Sequence, residues 1–182
     1  YGSRRYKFVE RIDYSRLRDF VVYIDQAAPV GEGQPAQAAM TVQRDASFDP
    51  HVLPVAVGTT VRWPNEDEIF HNVFSMSDAK EFNLGLYNKE KVPAVTFDKV
   101  GRVDVFCAIH TKMHCIILVL PNAYFARADA SGHFSIPHVP PGTYKLRAWH
   151  ERLPSQVKEV VVPADGEVKI DFELGLSELP KY

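Results

Sequence analysis

Residues 106–120 read FCAIHTKMHCIILVL, and this stretch carries three residues of metal-binding type, Cys107, His110 and Met113. A further histidine, His71, lies upstream in the stretch WPNEDEIFHNVF. One thiolate, two imidazoles and a thioether are the ligand set of a mononuclear electron-transfer copper site. Thiolate and thioether sulfur favour Cu(I), and imidazole suits both oxidation states. These residue types therefore predict a copper site that exchanges one electron with little rearrangement.

The spacing Cys-x2-His-x2-Met is explained by the geometry of a loop. We expect a strand to end at Cys107, a tight loop to carry His110, and the next strand to begin near Met113. His71 must then come from a different strand. A rigid cavity that holds both strands would fix the geometry of the metal.

Three other roles of Cys107 stay open on the residues alone. The thiol can be a small buried hydrophobic group, which is the commonest role of a single cysteine. It can be a nucleophile beside His110, although no glycine-rich oxyanion loop or third orienting group accompanies the pair. It can also bind structural zinc, although zinc sites rarely use methionine. Ligand types, spacing and the upstream histidine agree best with copper.

The rest of the chain predicts an all-β protein. The 182 residues include 13 prolines and 10 glycines, which separate short runs rich in Val, Ile, Phe and Tyr. Such a pattern is typical of sandwiches and barrels. Residues 77–91 are expected to be irregular or briefly helical. The predicted strands are 6–12, 19–25, 39–45, 52–57, 59–64, 72–76, 94–98, 103–109, 115–121, 132–136, 143–149, 156–162 and 167–174.

Composition limits the partners. The net charge is −2 and the pI is about 6.4, so nothing indicates binding to nucleic acid or to an anionic membrane surface. The longest apolar run, CIILVL at 115–120, is far too short to span a membrane. The sequence as given begins at Tyr1 and contains no signal-peptide segment. The acidic stretch NEDE at 65–68 is predicted to be solvated surface.

Residues 38–120 resemble a cupredoxin of the plastocyanin, amicyanin and azurin kind. The stretch VAVGTTVRWPNEDEIFHNVF is similar to the pattern G-x-x-V-x-W/F-x-N-x-D-x-x-x-H-N-V of that family, and the ligand loop has the short amicyanin-type spacing. The resemblance implies a Greek-key β-sandwich and one copper ion per chain. It makes His71, Cys107 and His110 the trigonal ligands and Met113 the weak axial ligand, and it gives Asn72 the role of bracing the ligand loop.

The chain departs from the family pattern at two positions near the ligands. Ala108 stands where relatives often have Ser or Thr, so Asn72 would brace the loop through backbone groups. Cys115 stands where the family usually has Gly, and it shares a strand face with Met113. Cys115 is expected to be an inert buried thiol. If the protein has auxiliary metal groups, they are expected to be Cys115, His114 and His51, although a surface position explains His51 more simply.

The C-terminal third resembles a second family. The stretch ADASGHFSIPHVPPGTYKLRAWH is similar to the pattern D-x-x-G-x-F-x-I-x-x-V/L-P-P-G-x-Y-x-L of carboxypeptidase regulatory-like, or transthyretin-like, domains. Such domains usually open with two strands, and the second reads like VVYI at 21–24. We therefore predict that residues 1–28 and 123–182 form one small β-sandwich, with the cupredoxin domain 38–120 inserted into it. Simple tandem order is the alternative. The whole arrangement resembles periplasmic proteins of the methylamine-utilisation type.

The resemblance implies a one-electron carrier in the periplasm or outside the cell. Its partner would be a redox protein such as a c-type cytochrome or a periplasmic dehydrogenase, docked through Ala108, Ile109 and Lys112 around His110. The alternative is a protein of copper handling, for resistance or sensing, which would bind exchangeable copper through the same ligands. Enzymatic activity is not expected, because no spaced histidine pair in the sequence indicates a second, catalytic copper.

Overall fold

The computed structural model describes residues 17–27 and 39–175, and within them the all-β prediction is confirmed. The strand predicted at 6–12 lies outside these residues. No helix that could span a membrane occurs among them. The strands are β1 Val21–Ile24, β2 Ala39–Met40, β3 Val42–Arg44, β4 Ser47–Asp49, β5 Val52–Ala56, β6 Thr59–Arg62, β7 His71–Ser77, β8 Lys80–Tyr87, β9 Ala94–Phe97, β10 Gly101–Cys107, β11 His114–Leu120, β12 Phe125–Arg127, β13 Gly142–His150 and β14 Leu153–Val162.

The largest part of the fold is a β-sandwich. Five strands form one sheet in the order β5-β11-β10-β7-β8, and three form the facing sheet in the order β2-β6-β9. The strands β5 and β11 pair in parallel, as do β2 and β6. Between the sheets lies one apolar core, to which Trp63 and Phe97 contribute the largest side chains. The predicted β-sandwich is therefore confirmed.

The strand β11 is buried on both faces, which explains its continuous apolar sequence. Side chains alternate between the faces of a strand. Ile117 and Val119 point into the sandwich core with Cys115, whereas Ile116 and Leu118 belong to a separate core. This separate core also contains Val21 and Tyr23 of β1 and Val52 of β5. The apolar run thus joins the sandwich to another sheet.

That other sheet combines the two ends of the described chain. Its strand order is β12-β1-β13-β14, so β1 lies between β12 and β13, with both neighbours antiparallel. Next to it, the buried Asn122 amide donates to the carbonyl oxygens of Ile24 and Gln26, each at 2.8 Å, and accepts from the Tyr124 amide. The N-terminal strand is thereby tied to the segment that follows the sandwich. The division of the chain into two domains stays a prediction.

Three local predictions were wrong. Residues 77–91 contain the eight-residue strand β8, in which Phe82 and Leu84 pack against the sandwich core between polar neighbours. A register shift opposite Asn72 and Phe74 interrupts the pairing of β8 with β7, which explains why the alternation was not recognised. Residues 132–136 and 167–174 are not strands, although Phe134 and Phe172 pack in the core of the four-stranded sheet.

Candidate metal centre

Three predicted ligands meet at one end of the sandwich. The Nδ1 atoms of His71 and His110 are 3.0 Å apart, and the Sγ atom of Cys107 lies 3.8 Å from the first and 3.6 Å from the second. His71 is fully buried, Cys107 is buried, and His110 is half-buried. The cluster therefore reaches the protein surface through His110.

Strand alternation brings His71 and Cys107 together. The strands β7 and β10 are neighbours, with Val73 paired opposite Cys107. Inward positions on β7 include His71 and Val73, and inward positions on β10 include Val105 and Cys107. Because every second side chain of a strand faces the same side, both ligands point into the sandwich at the same end of the sheet.

The separations fit a single metal ion. Metal ions such as zinc lie about 2.0 Å from an imidazole nitrogen and about 2.3 Å from a thiolate sulfur, so trigonal ligands stand about 3.5 Å apart for two nitrogens and about 3.7 Å apart for nitrogen and sulfur. The observed separations are 3.0 Å for the nitrogens and 3.6 and 3.8 Å for the nitrogen–sulfur pairs. His71, Cys107 and His110 are therefore arranged so that one ion of this size can contact all three.

Backbone hydrogen bonds hold the ligand loop between β10 and β11. The Met113 amide donates to the His110 carbonyl at 3.0 Å, and the Cys107 amide donates to the Met113 carbonyl at 3.3 Å. The Ala108 amide donates to the carbonyl oxygen of Asn72 at 2.9 Å. Asn72 thus contacts the loop through its backbone, while its Oδ1 atom is buried without a hydrogen-bond partner. Met113 is 1% exposed and belongs to the sandwich core beneath the loop.

Asp67 orients the buried histidine, and the sequence analysis did not assign it this role. One carboxylate oxygen lies 2.8 Å from His71 Nε2, on the side of the ring away from Cys107. The same carboxylate accepts from the amides of Asp45 and Ala46. Burial would raise the pKa of Asp67, but the hydrogen bonds from His71 and the two amides together lower it. A carboxylate that holds the outer nitrogen of an imidazole is the usual partner of a metal-binding histidine.

The prediction that residues 65–68 are solvated surface was therefore wrong at alternate positions. Glu66 and Glu68 are exposed, but Asn65 is 4% exposed and Asp67 is half-buried. The side-chain NH₂ group of Asn65 donates to the carbonyl oxygen of Ile69 at 2.8 Å. A signal was present, because Asn and Asp occupy these two places in the N-x-D-x-x-x-H pattern that the sequence resembles.

Cys115 stands apart from the cluster. It is fully buried in the sandwich core, opposite Val105 across the strand pair β10–β11. Burial raises the pKa of its thiol well above the usual range, and the nearby Asp104 raises it further. A protonated thiol is a poor metal ligand, since the thiolate is the form that binds. Among the described residues, Cys115 belongs to neither group of side chains whose donor atoms converge.

A second group of converging donors contains two of the predicted auxiliary residues. His51 and His114 meet Glu151, which no local pattern singled out. Glu151 lies in the turn between β13 and β14, far from both histidines in sequence. The sequence gives no sign of this histidine pair, because His51 and His114 are 63 positions apart. Only the pairing of β5 with β11 brings them together.

Comparisons with known proteins concern two parts of the chain. The family model described as polysaccharide lyase family 4, domain II, matches residues 122–170. The transthyretin-like character of this part stays a prediction. No curated protein matches the sequence of the chain.

Several solved structures are similar to the other part. A purple cupredoxin from Nitrosopumilus maritimus is 25% identical, with a TM-score of 0.41, and the match covers 44% of this chain and 98% of that one. A reduced variant of amicyanin is 26% identical, with a TM-score of 0.42, over 54% of this chain and 97% of the other. The copper-containing nitrite reductase of Thermus scotoductus SA-01 is 27% identical, with a TM-score of 0.44, over 52% of this chain but 25% of the enzyme.

Proposed function

We propose that this protein is a mononuclear type 1 copper protein that carries single electrons. The observation that carries the proposal is the convergence of Cys107 Sγ with the Nδ1 atoms of His71 and His110 at 3.0 to 3.8 Å. One thiolate and two imidazoles are the trigonal donors of blue-copper sites, whose axial ligand is commonly a weakly bound methionine. Met113, buried beneath the loop, is the residue that would supply this thioether.

The protein would contribute a rigid set of donors. When bound, copper would supply a Cu(II)/Cu(I) couple, and small changes of geometry favour fast exchange between the two states. The strands β7 and β10 fix His71 and Cys107, and the loop hydrogen bonds fix His110 and Met113. Asp67 holds His71 with Nδ1 directed at the cluster. These contacts lie within the protein itself, so they would hold the donors in position around a bound ion.

His110 is the proposed contact with the redox partner. It is the partly exposed member of the cluster, and its neighbour Ile109 is 52% exposed. Phe70, next to His71, is 49% exposed. Ala108 and Lys112 on the same loop are also exposed. Such a surface suits a small, transient interface with another redox protein, for example a c-type cytochrome or a periplasmic dehydrogenase. The corresponding location would be the periplasm or the exterior of the cell.

A carrier is proposed rather than an enzyme because the cluster offers little room for a substrate. His71 has no exposed surface, and Cys107 is 5% exposed. Of these three side chains the ring of His110 is the most exposed, so a substrate would meet it first. An electron can pass between the protein surface and the metal through the His110 ring. A substrate that must contact the metal cannot pass through that ring.

The test compares the two cysteines of the chain. Cys107→Ala and Cys115→Ala remove the same thiol from two buried sites, but only Cys107 belongs to the cluster. After loading with Cu(II), the wild type and Cys115→Ala should show an intense thiolate-to-copper absorption band and a type 1 EPR spectrum. Cys107→Ala should lose both. A weak tetragonal spectrum in the wild type, unchanged by Cys107→Ala, would contradict the proposal.

Copper handling is the second candidate. The observation that favours it is the additional convergence of His51 and His114 with Glu151 near the surface, which would give copper a place outside the buried cluster. A handling protein should release Cu(I) to a competing chelator within minutes and exchange it with a copper acceptor. An electron carrier should retain the ion and show one well-defined reduction potential. Slow release together with reversible voltammetry would therefore decide for the electron carrier.

A further inference from the structure

A cluster of three side chains lies where the sandwich meets the four-stranded sheet. We call His51, His114 and Glu151 the seam cluster. His51 immediately precedes β5, His114 begins β11, and Glu151 lies in the β13–β14 turn. One donor atom from each lies within 4.8 Å of the other two. The side chains are 37%, 27% and 22% exposed, so an ion from solvent can reach them.

The hydrogen bonds of His51 leave one nitrogen directed at a carboxylate. Its Nδ1 atom lies 3.3 Å from the carbonyl oxygen of His114, and a carbonyl can only accept. Nδ1 therefore carries the proton. Its Nε2 atom lies 3.0 Å from Oε1 of Glu151. In neutral imidazole this nitrogen is also an acceptor, so either a proton or a metal cation must lie between it and the carboxylate.

The hydrogen bonds of His114 likewise leave a lone pair on one nitrogen of its ring. Its Nε2 atom lies 2.8 Å from a carboxylate oxygen of Asp104, which Arg102 also contacts at 2.7 Å. The neutral ring thus keeps its proton on Nε2 and has a lone pair on Nδ1. The ring stacks on Phe106, with centroids 4.9 Å apart and an angle of 28° between planes. His114 is therefore oriented by Asp104 and Phe106, and His51 by the backbone carbonyl of His114. Such hydrogen bonds to the outer nitrogen are how proteins orient metal-binding imidazoles.

We propose that the seam cluster is a second metal site, which binds Zn²⁺ through His51, His114 and Glu151. Two imidazoles and one carboxylate without sulfur form a recurrent donor set for this ion. The set differs from the Cys107 cluster, in which a thiolate favours copper. An ion bound here would connect β5 and β11 of the sandwich to the β13–β14 turn of the other sheet. The proposal is independent of the function proposed for the Cys107 cluster.

Cobalt distinguishes the two sites by their spectra. We would titrate the metal-free full-length protein with Co²⁺, follow the absorption, and then displace the bound ion with Zn²⁺. Binding at the Cys107 cluster adds a sulfur charge-transfer band, whereas binding at the seam cluster adds ligand-field bands without one. The expected result is one binding event of the second kind in the wild type. Glu151→Gln and His51→Ala should each weaken it more than about 10-fold and leave the sulfur band unchanged.

His133→Ala is the matched control, because His133 is exposed and lies outside the seam cluster. It should bind Co²⁺ as the wild type does. Glu151→Gln keeps the size of the side chain, and His51 is partly exposed, so at least one of the two variants should fold, as checked by circular dichroism. A wild type that shows no sulfur-free binding event would overturn the proposal, as would wild-type affinity in both Glu151→Gln and His51→Ala.

Thermal unfolding separates a metal site from an ion pair. If the seam cluster binds zinc, added Zn²⁺ should raise the Tm of the wild type more than that of Glu151→Gln, in which the Cys107 cluster alone remains to bind the ion. A variant that loses stability without metal, but gains as much from Zn²⁺ as the wild type does, would mean that His51 and Glu151 form only a salt bridge and would overturn the proposal. If the Co²⁺ titration of the wild type shows the sulfur-free bands but no sulfur charge-transfer band, the copper proposal is contradicted and the zinc proposal is not.

Discussion

Replacing Asp67 by asparagine should lower both the stability of the fold and the metal affinity of the site that contains His71. The two oxygens of Asp67 accept from three groups, the amides of Asp45 and Ala46 and the Nε2 atom of His71. Asparagine has one oxygen and one NH₂ group, so at least one of these donors must face another donor. Leaving a donor unpaired costs about 1–3 kcal/mol. We expect the unfolding free energy of the metal-free protein to fall by about that amount.

The free energy of metal binding should fall by a similar amount. If the NH₂ group of the introduced asparagine turns toward His71, the ring must present a lone pair on Nε2, and its proton moves to Nδ1. Nδ1 is the atom that faces Cys107 and His110, so the protonated nitrogen can no longer bind an ion. Changing a carboxylate that orients a metal-binding histidine typically lowers affinity by about 10- to 100-fold. Competition with a chromophoric Cu(I) chelator would measure the loss.

Glu66→Gln is the matched control for Asp67→Asn. It removes a neighbouring carboxylate that pairs with Arg44 on the surface, where both side chains are about half exposed. Such an exposed pair contributes about 0–1 kcal/mol, and the variant should bind copper like the wild type. If Asp67→Asn also retained the wild-type affinity, the carboxylate would not orient His71 as argued. Equal losses in both variants would indicate a general effect of negative charge instead.

Two further predictions concern the packing of β11 and the attachment of β1. Ile116→Ala and Ile117→Ala should each lower the unfolding free energy by about 2–5 kcal/mol in urea titrations, because both faces of the strand are buried. The control is Val157→Ala, at a 42% exposed position, which should change the unfolding free energy by about 0.5 kcal/mol or less. A small effect of only one of the two isoleucine variants would mean that one face of β11 is not in a packed core. Asn122→Ala should leave the carbonyl oxygens of Ile24 and Gln26 without their donor and lower the unfolding free energy by about 1–3 kcal/mol. The specific measurement is amide hydrogen exchange, which should become faster in β1. Unchanged exchange there would show that the neighbouring strands alone hold β1.

The sequence predicted elements well where their signals are local. The strands β10 and β11 and the loop between them follow from a single run of residues, and Cys107 and His110 meet in the structure as the loop spacing indicates. The strand β8 was missed because its apolar positions are interrupted at Gly85, where β8 has one residue more than the partner strand β7. Hydrophobic periodicity cannot be read across such an irregularity.

Residues that act through distant contacts were beyond the reach of sequence patterns. Glu151 lies 100 positions from His51, and their contact exists only because the β13–β14 turn packs beside the start of β5. No spacing rule relates such residues, because the chain between them can be of any length.

The sequence by itself determined the all-β character of this protein and the residue types of its candidate metal site. Both depend on residue types at short separations, which strand alternation and one tight loop convert directly into positions in space. The tertiary structure decided what surrounds those residues. It placed the Asp67 carboxylate against Nε2 of His71 and buried Cys115 in the core, apart from the Cys107 cluster. It also brought Glu151 to His51 and His114. These outcomes depend on which faces of the sheets pack together, and that is set by the whole core rather than by any one segment.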